Sequence, residues 1–246
     1  MKISNQTPLV QIEVPKIGFL ADEQFLEEYN RINQTEYGSN PYLNVLKFRD
    51  NIDNIIKGSN PFAIVLANQI LSQEGLRVAR QSDLEKLIKI DPNYLKGTYE
   101  DTGLVLRNKQ DPDSYLAQDL IKQLKLRDRK LKLPIMIPLT ELILQKDQNS
   151  IYGLSFKLKE SADVIYSSIL NEENSKFSSE DINEKTGLPN KLGNGNRNFY
   201  TRNSGLSGLF LYRGLDLNSY DVGLGYSNLD GRVVVVSGEA TQKIKQ

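Results

Sequence analysis

The stretch Gly205-Leu206-Ser207-Gly208-Leu209-Phe210-Leu211-Tyr212-Arg213-Gly214-Leu215-Asp216-Leu217-Asn218-Ser219-Tyr220 carries the pattern from which the architecture is read. Leu206, Leu209, Leu211, Leu215 and Leu217, with Leu224 further on, form an apolar skeleton at strand spacing, because successive side chains of a strand point to opposite faces. Phe, Tyr, Arg, Asp, Asn and Gly alternate with that skeleton and are expected to face outward. The continuation Asp221-Val222-Gly223-Leu224-Gly225-Tyr226-Ser227-Asn228-Leu229-Asp230-Gly231-Arg232 has the same character and runs into four valines, Val233 to Val236. Tyr, Asn, Gly and Ser give contact area and adaptable hydrogen bonds at low entropic cost, which is why binding loops use them.

The composition of this region differs from the rest of the chain. The protein holds 15 Glu, 20 Lys, 14 Gln and 2 Met, together 51 of 246 residues, yet none falls in the 47 residues from Leu192 to Gly238. A β meander explains part of this, since sheets disfavour Glu and Lys and turns favour Gly, Asn, Asp and Ser. The set of missing types says more. Randomising the first two bases of an AAC or AAT codon reaches every amino acid except Glu, Lys, Gln, Met and Trp. All five are missing here, together with Ala, Ile, Pro, Cys and His, and every interleaved outward residue belongs to the reachable set.

Elsewhere the periodicity alternates between helix and strand. Ala21–Ile32 places Phe25, Leu26, Tyr29 and Ile32 at helical spacing. Ser59-Asn60-Pro61 predicts a helix start, with Phe62, Val65, Leu66, Ile70 and Leu71 inward and a stop at Gly75. Leu76–Ala79 reads as a strand, and Ser82-Asp83-Leu84-Glu85 as a capping box opening the next helix. Strands are expected at Thr102–Arg107, Leu133–Pro138 and Ile151–Leu158, with helices at Asp113–Leu126 and Glu160–Leu170. Residues 171–197 read as a long loop.

Composition also excludes function classes. The chain has no Cys, no His and no Trp, and its 31 basic residues balance 31 acidic ones. Disulfides, thiolate chemistry and imidazole acid–base or metal chemistry are therefore out, and no net field recruits nucleic acid. No apolar h-region follows Met1 and no stretch is long enough to span a bilayer, so a cytoplasmic location is the default expectation.

Taken together, Thr201-Arg202-Asn203-Ser204-Gly205-Leu206-Ser207, the leucine skeleton and the ending Gly231-Arg232-Val233-Val234-Val235-Val236-Ser237 resemble the variable proteins of diversity-generating retroelements, especially the archaeal kind. Upstream, Gly75-Leu76-Arg77-Val78-Ala79-Arg80-Gln81-Ser82-Asp83-Leu84-Glu85 is similar to the strand-then-helix element of lectin-like domains related to formylglycine-generating enzymes. The resemblance implies an α+β, C-type-lectin-like fold, mixed or antiparallel in its sheets, with flanking helices and long loops. It covers about residues 60–238. Residues 1–58 are expected as an N-terminal extension packed on a lectin-like domain of residues 59–246, whose variable segment is residues 198–231. Trp, usual in lectin-like cores, is missing, so Leu, Ile, Phe and Tyr must fill the core.

What the resemblance implies for function is a non-enzymatic display protein: a fixed frame whose variable surface binds a ligand, expected to be a protein, with no cofactor, metal or catalytic residue and no nucleic-acid partner. The contact residues expected are Tyr212, Arg213, Tyr220 and Tyr226 as anchors with Phe210, and Asp216, Asn218, Asp221, Asn228 and Asp230 as specificity groups. The competing enzyme reading is a carboxylate hydrolase on Asp216, Asp221 and Asp230, which needs two of them facing each other in a concave site. The basic run Lys122–Lys132 reads as a solvated helix end, where cations complement the helix dipole.

Overall fold

A computed structural model of the protein describes residues 10–11, 16–48, 55–220 and 223–237. The chain runs β1 (Val10–Gln11), β2 (Lys16–Phe19), α1 (Glu23–Tyr37), β3 (Lys47–Phe48), β4 (Ile56–Lys57) and α2 (Pro61–Leu71). It continues as β5 (Leu76–Val78), α3 (Gln81–Ile90), β6 (Glu100–Leu106), α4 (Ser114–Arg127), β7 (Ile135–Pro138), β8 (Leu142–Lys146) and β9 (Leu154–Leu158). Short strands β10 (Ile165–Tyr166) and β11 (Ser175–Phe177) lead to β12 (Arg197–Thr201), β13 (Leu206–Tyr212), β14 (Asp216–Ser219) and β15 (Val234–Ser237). The class is α+β. A seven-stranded sheet has the order β10-β7-β6-β13-β14-β12-β11, a four-stranded sheet the order β1-β2-β15-β5, and β3-β4 and β8-β9 are separate pairs. Among the described residues no helix is long and apolar enough to cross a membrane.

Local chemistry sets the helix starts. Asp22 caps α1 by accepting from Gln24 N and Phe25 N. Asn60 caps α2 by accepting from Ala63 N at 2.8 Å, with Pro61 in the first turn. Helix α2 is buried on every side except at Gln69, as an all-round apolar helix must be. It stacks Phe62 on Phe156 at 4.8 Å, and these aromatics with Tyr152 fill the core centre in a chain without Trp.

Two expectations shift. The cap of α3 is Arg80, not Ser82: Asp83 accepts from Arg80 N at 2.8 Å and is held in place by Arg77, so the helix opens two residues earlier. No helix spans 160–170. Ile165 and Tyr166 pair with Met136 and Ile135 at the edge of β7, and β-branched and aromatic residues favour that pairing; a 3-10 turn, Ser168–Asn171, follows.

The segment read as an extension is continuous with the rest. Strand β2 pairs with β15, Phe19 opposite Val234 and Ile17 opposite Val236. Leu20, Phe25, Tyr29 and Ile32 join the same apolar cluster as the α2 side chains.

Strand β13 corrects the simple inside–outside reading. It lies between β6 and β14 and is covered on both faces, so all its residues from Leu206 to Leu211 are buried. The leucines of β13, of the turn after it and of β14 serve different cores: Leu206 belongs to the α2 cluster, Leu211 and Leu215 to a second, and Leu209 and Leu217 to a third. The turn to β14 holds Leu215 at φ 67°, a region that favours glycine; burial of its side chain in the second cluster offsets that strain. Two buried guanidiniums tie the surrounding strands. Arg197 makes a bidentate pair with Glu85 (2.6 and 2.8 Å) and stacks over Phe177. Arg107 donates to Leu170 O, Ser207 Oγ, Thr201 Oγ1 and Ser219 Oγ at 2.7–3.0 Å. Burial, with Arg202 nearby, lowers its pKa to about 10.

Truncating Leu209, Leu211 or Leu217 to Ala is expected to cost about 2–5 kcal/mol through lost transfer energy and residual cavity. Tyr226→Ser, at a side chain 53% exposed, should stay within about 0.5 kcal/mol. Urea denaturation of the two kinds of variant measures the division; equal losses refute it.

Candidate functional site

Tyr99, at the entry to β6, organises one end of a cleft of about 120 Å³. Its hydroxyl donates to Ser59 O at 3.0 Å and accepts from Asn228 N at 2.9 Å. Its backbone binds residues 230–232 from both sides, through Tyr99 N to Asp230 O and Arg232 N to Tyr99 O. Further ties fasten the 223–231 loop to the start of α2: Gly58 N to Gly231 O, Ser59 N to Ser227 Oγ, and Asn60 Nδ2 to Gly225 O. The approach is too close for side chains at two points. A Cβ on Gly225 would lie 2.3 Å from the Tyr42 ring, and one on Gly231 2.5 Å from Ser59 N. The loop wall of the cleft is therefore held by the frame before any ligand arrives.

The opposite wall is β13. Gly208, Phe210 and Tyr212 share the face that lines the cleft, joined by Tyr220 just after β14 and by Leu224, Tyr226 and Asn228 of the loop. Phe210 is the hub of the rings, with Tyr99, Tyr212 and Tyr220 around it at 6.1–6.2 Å. Asp101 on β6 forms the floor, its Oδ2 accepting from Ser59 Oγ at 2.6 Å. Asp113, the residue before α4, lines the cleft while accepting from Tyr152 Oη at 2.7 Å.

The sequence-expected contact residues divide accordingly. Phe210, Tyr212, Tyr220, Tyr226 and Asn228 come together at the cleft. Phe210 does so from a buried position, 5% exposed, rather than pointing outward. Asn218 is a correction: it is 2% exposed, between the flanking strands β12 and β13, and donates to Asp216 O, so it presents nothing to a ligand. Asp216 is half-buried and holds the Asn198 backbone and side-chain amides. Arg213 and Asp230 form an ion pair with each other, and Arg213 stacks over Tyr212 at 5.7 Å. Asp221 lies outside the described residues. Neither Asp216 nor Asp230 lines the cleft, so the pair with which the hydrolase reading would be built does not form there. Among the described residues no three His, Cys, Asp or Glu side chains gather as a metal site requires. The Lys122–Lys132 cations are exposed around the end of α4.

Tyr99, Asp101, Asp113 and Ser59 are site residues that the sequence reading passed over. One signal was available: Glu100 and Asp101 are adjacent acids leading into an apolar strand, where acids are disfavoured. Comparison of the chain with family models, with curated proteins and with solved structures finds no match.

Burial governs the titration of this floor. It pushes Asp101 up to about 7 against the hydrogen bond from Ser59. It also pushes the neighbouring Glu100 up to about 8 against the hydrogen bond from Thr98 and the charge of Arg232. Tyr99 rises to about 12, again chiefly through burial. Both carboxyls hold their protons more tightly folded than unfolded, so stability falls as pH rises. Their contribution is complete below the ordinary values of 3.8 and 4.5 and is lost as pH passes about 7 and then about 8. Thermal melts should show the Tm advantage of wild type over an Asp101→Asn, Glu100→Gln double variant shrinking across that window. A difference independent of pH refutes the assignment.

Proposed function

We propose that this chain is a non-enzymatic ligand-binding protein with a C-type-lectin-like frame. Its segment of about residues 198–231 is a binding surface diversified by retroelement mutagenesis. The observation that carries the reading is convergence. Phe210, Tyr212, Tyr220, Tyr226 and Asn228 come from β13, from the end of β14 and from the loop before β15, yet all line one cleft. All five lie in the 47-residue run without Glu, Lys, Gln or Met. Of the other contributors, Pro61, Tyr99, Asp101 and Asp113 lie outside the diversified segment, while Ser207, Gly208, Gly223 and Leu224 belong to it.

This arrangement suits a protein that changes specificity without refolding. Aromatic side chains supply most of the energy at such surfaces, and small polar residues such as Asn228 supply adaptable hydrogen bonds. The side chains that hold the frame are separate: Leu209 and Leu217 in one core, Leu211 and Leu215 in another, and the Ser207 and Ser219 hydroxyls on Arg107. The ligand is a protein in this reading, and no step of chemistry is performed on it.

The gene tests this directly. A near-copy of the DNA encoding about residues 198–238 should lie close by, beside a reverse transcriptase gene, differing from it almost only where the template has adenine. The differing codons should include those of Tyr212, Tyr220, Tyr226 and Asn228. They should spare Leu206, Leu209, Leu211, Leu215 and Leu217, and the two serines on Arg107. Differences scattered without regard to adenine, or no second copy in a complete genome, would overturn the reading.

A further inference from the structure

Given the cleft as the ligand site, its lining selects an occupant by charge. Asp101 and Asp113 line it, and among the described lining residues there is no Lys or Arg. Five rings line it as well: Tyr99, Phe210, Tyr212, Tyr220 and Tyr226. Tyr99 and Tyr212 stand at 71° and 81° to Phe210, and Tyr220 at 51°. Several aromatic rings gathered beside carboxylates make a lining that attracts a cation brought within about 6 Å of a ring face. Arg213 does not fill it, since it lies over Tyr212 paired with Asp230 and outside the lining.

The floor narrows the choice of cation. Asp101 Oδ2 is engaged by the Ser59 hydroxyl at 2.6 Å. Its Oδ1 faces Gly208, where an added Cβ would lie 3.7 Å away and equally far from Pro61 Cγ. One carboxylate oxygen toward the cleft suits the single-point contact of an ammonium. A guanidinium fork binds best when both oxygens are open to it. Size narrows it further. About 120 Å³ is well below the roughly 300–1,000 Å³ of sites that enclose a whole small-molecule ligand. The cleft has room for one side chain projecting from a larger body.

We propose that the cleft takes a lysine side chain of a partner protein, its ammonium against Asp101 and its methylenes and charge against Tyr99, Phe210, Tyr212, Tyr220 and Tyr226. The preference for a cation is then anchored in the frame, because Tyr99 and Asp101 lie outside the diversified segment, while the aromatic walls set how well a given partner's lysine fits.

The test uses the full chain and capped Gly-Gly-X-Gly-Gly peptides with X lysine, arginine or norleucine, alongside free n-butylammonium, followed by NMR shift perturbation. Measurements are made at pH 8, above the value of about 7 to which burial pushes Asp101. The lysine peptide should bind at least about tenfold more tightly than the norleucine and arginine peptides, as a partly desolvated ion pair with cation–π contacts implies. Gly208→Val fills the space above Asp101 without forcing the strand, since its Cβ would meet neighbours only at 3.7 Å, and should abolish binding. Asp101→Asn should remove the advantage of lysine over norleucine and leave the norleucine peptide unchanged; it keeps the test decisive even where the valine variant fails to fold. Equal binding of lysine and norleucine peptides, both lost in Gly208→Val, overturns the cation while leaving the cleft as the ligand site. Binding that survives Gly208→Val overturns the cleft itself. Butylammonium bound and peptides refused assigns a free small cation instead of a protein side chain. No perturbation by any probe overturns the proposal outright.

Discussion

The cleft depends on one irregularity in the pairing of β6 with β13. Leu209 pairs with Gly103 and Phe210 with Asp101, so Thr102 is an extra residue on β6. Such a bulge shifts the alternation of the strand by one position and re-aims the side chains beyond it. Without it, Asp101 would share a face with Val105, inside the third core. With it, Asp101 shares the face of Leu104 and Leu106 and stands beside Gly208 and Phe210 at the cleft floor. Thr102 is not idle there: its hydroxyl bonds Gln81 Oε1 at 2.9 Å and Leu209 O at 3.2 Å, which fixes the bulge against α3 and β13.

Much of this was legible in the chain and the rest was not, for physical reasons. The apolar periods of α1 and α2 and the Asn60-Pro61 start are local signals, and both helices form there, though α1 runs on to Tyr37, past the expected Ile32, and α2 ends at Leu71, before Gly75. The 160–170 stretch failed because its fate rests on a long-range edge: residues that could wind into a helix instead pair with β7, and pairing across such sequence distance leaves no local mark. The outward positions failed at Phe210 and Asn218 because period-two alternation presumes one wet face, whereas successive residues of β13 and of β14 are buried. Asp101 and Tyr99 could not be found from the 198–231 segment at all, since the bulge that sets β6 against it is a property of two strands about a hundred residues apart in sequence.

The absence of Glu and Lys from the segment has a structural counterpart in where charge does sit around it. The cations that hold these strands are Arg107, from outside the segment, and Arg197, at its edge; each is buried and spends its donors on fixed acceptors. A buried guanidinium left without partners would be strongly destabilising, so Ser207, Ser219 and Thr201 are constrained by Arg107, while Tyr212, Tyr220 and Tyr226 nearby stay exposed. Constrained and exposed positions therefore interleave along the chain.

The loop-rich wall owes its shape more to its main chain than to those exposed side chains. The 223–231 loop has almost no regular structure, but its position is set mainly by backbone groups: Gly231 O on Gly58, Gly225 O on Asn60, Asp230 O on Tyr99 and Asn228 N on the Tyr99 hydroxyl. Backbone bonds do not depend on which side chain the codon specifies. Of the loop side chains, only those pressed against the frame carry shape, which is why Gly225 and Gly231 leave no room for a Cβ while Tyr226 reaches into solvent. Under the diversification proposed above, a surface anchored by its main chain and floored by frame residues would exchange its aromatic walls and keep both the cleft and the carboxylate beneath it.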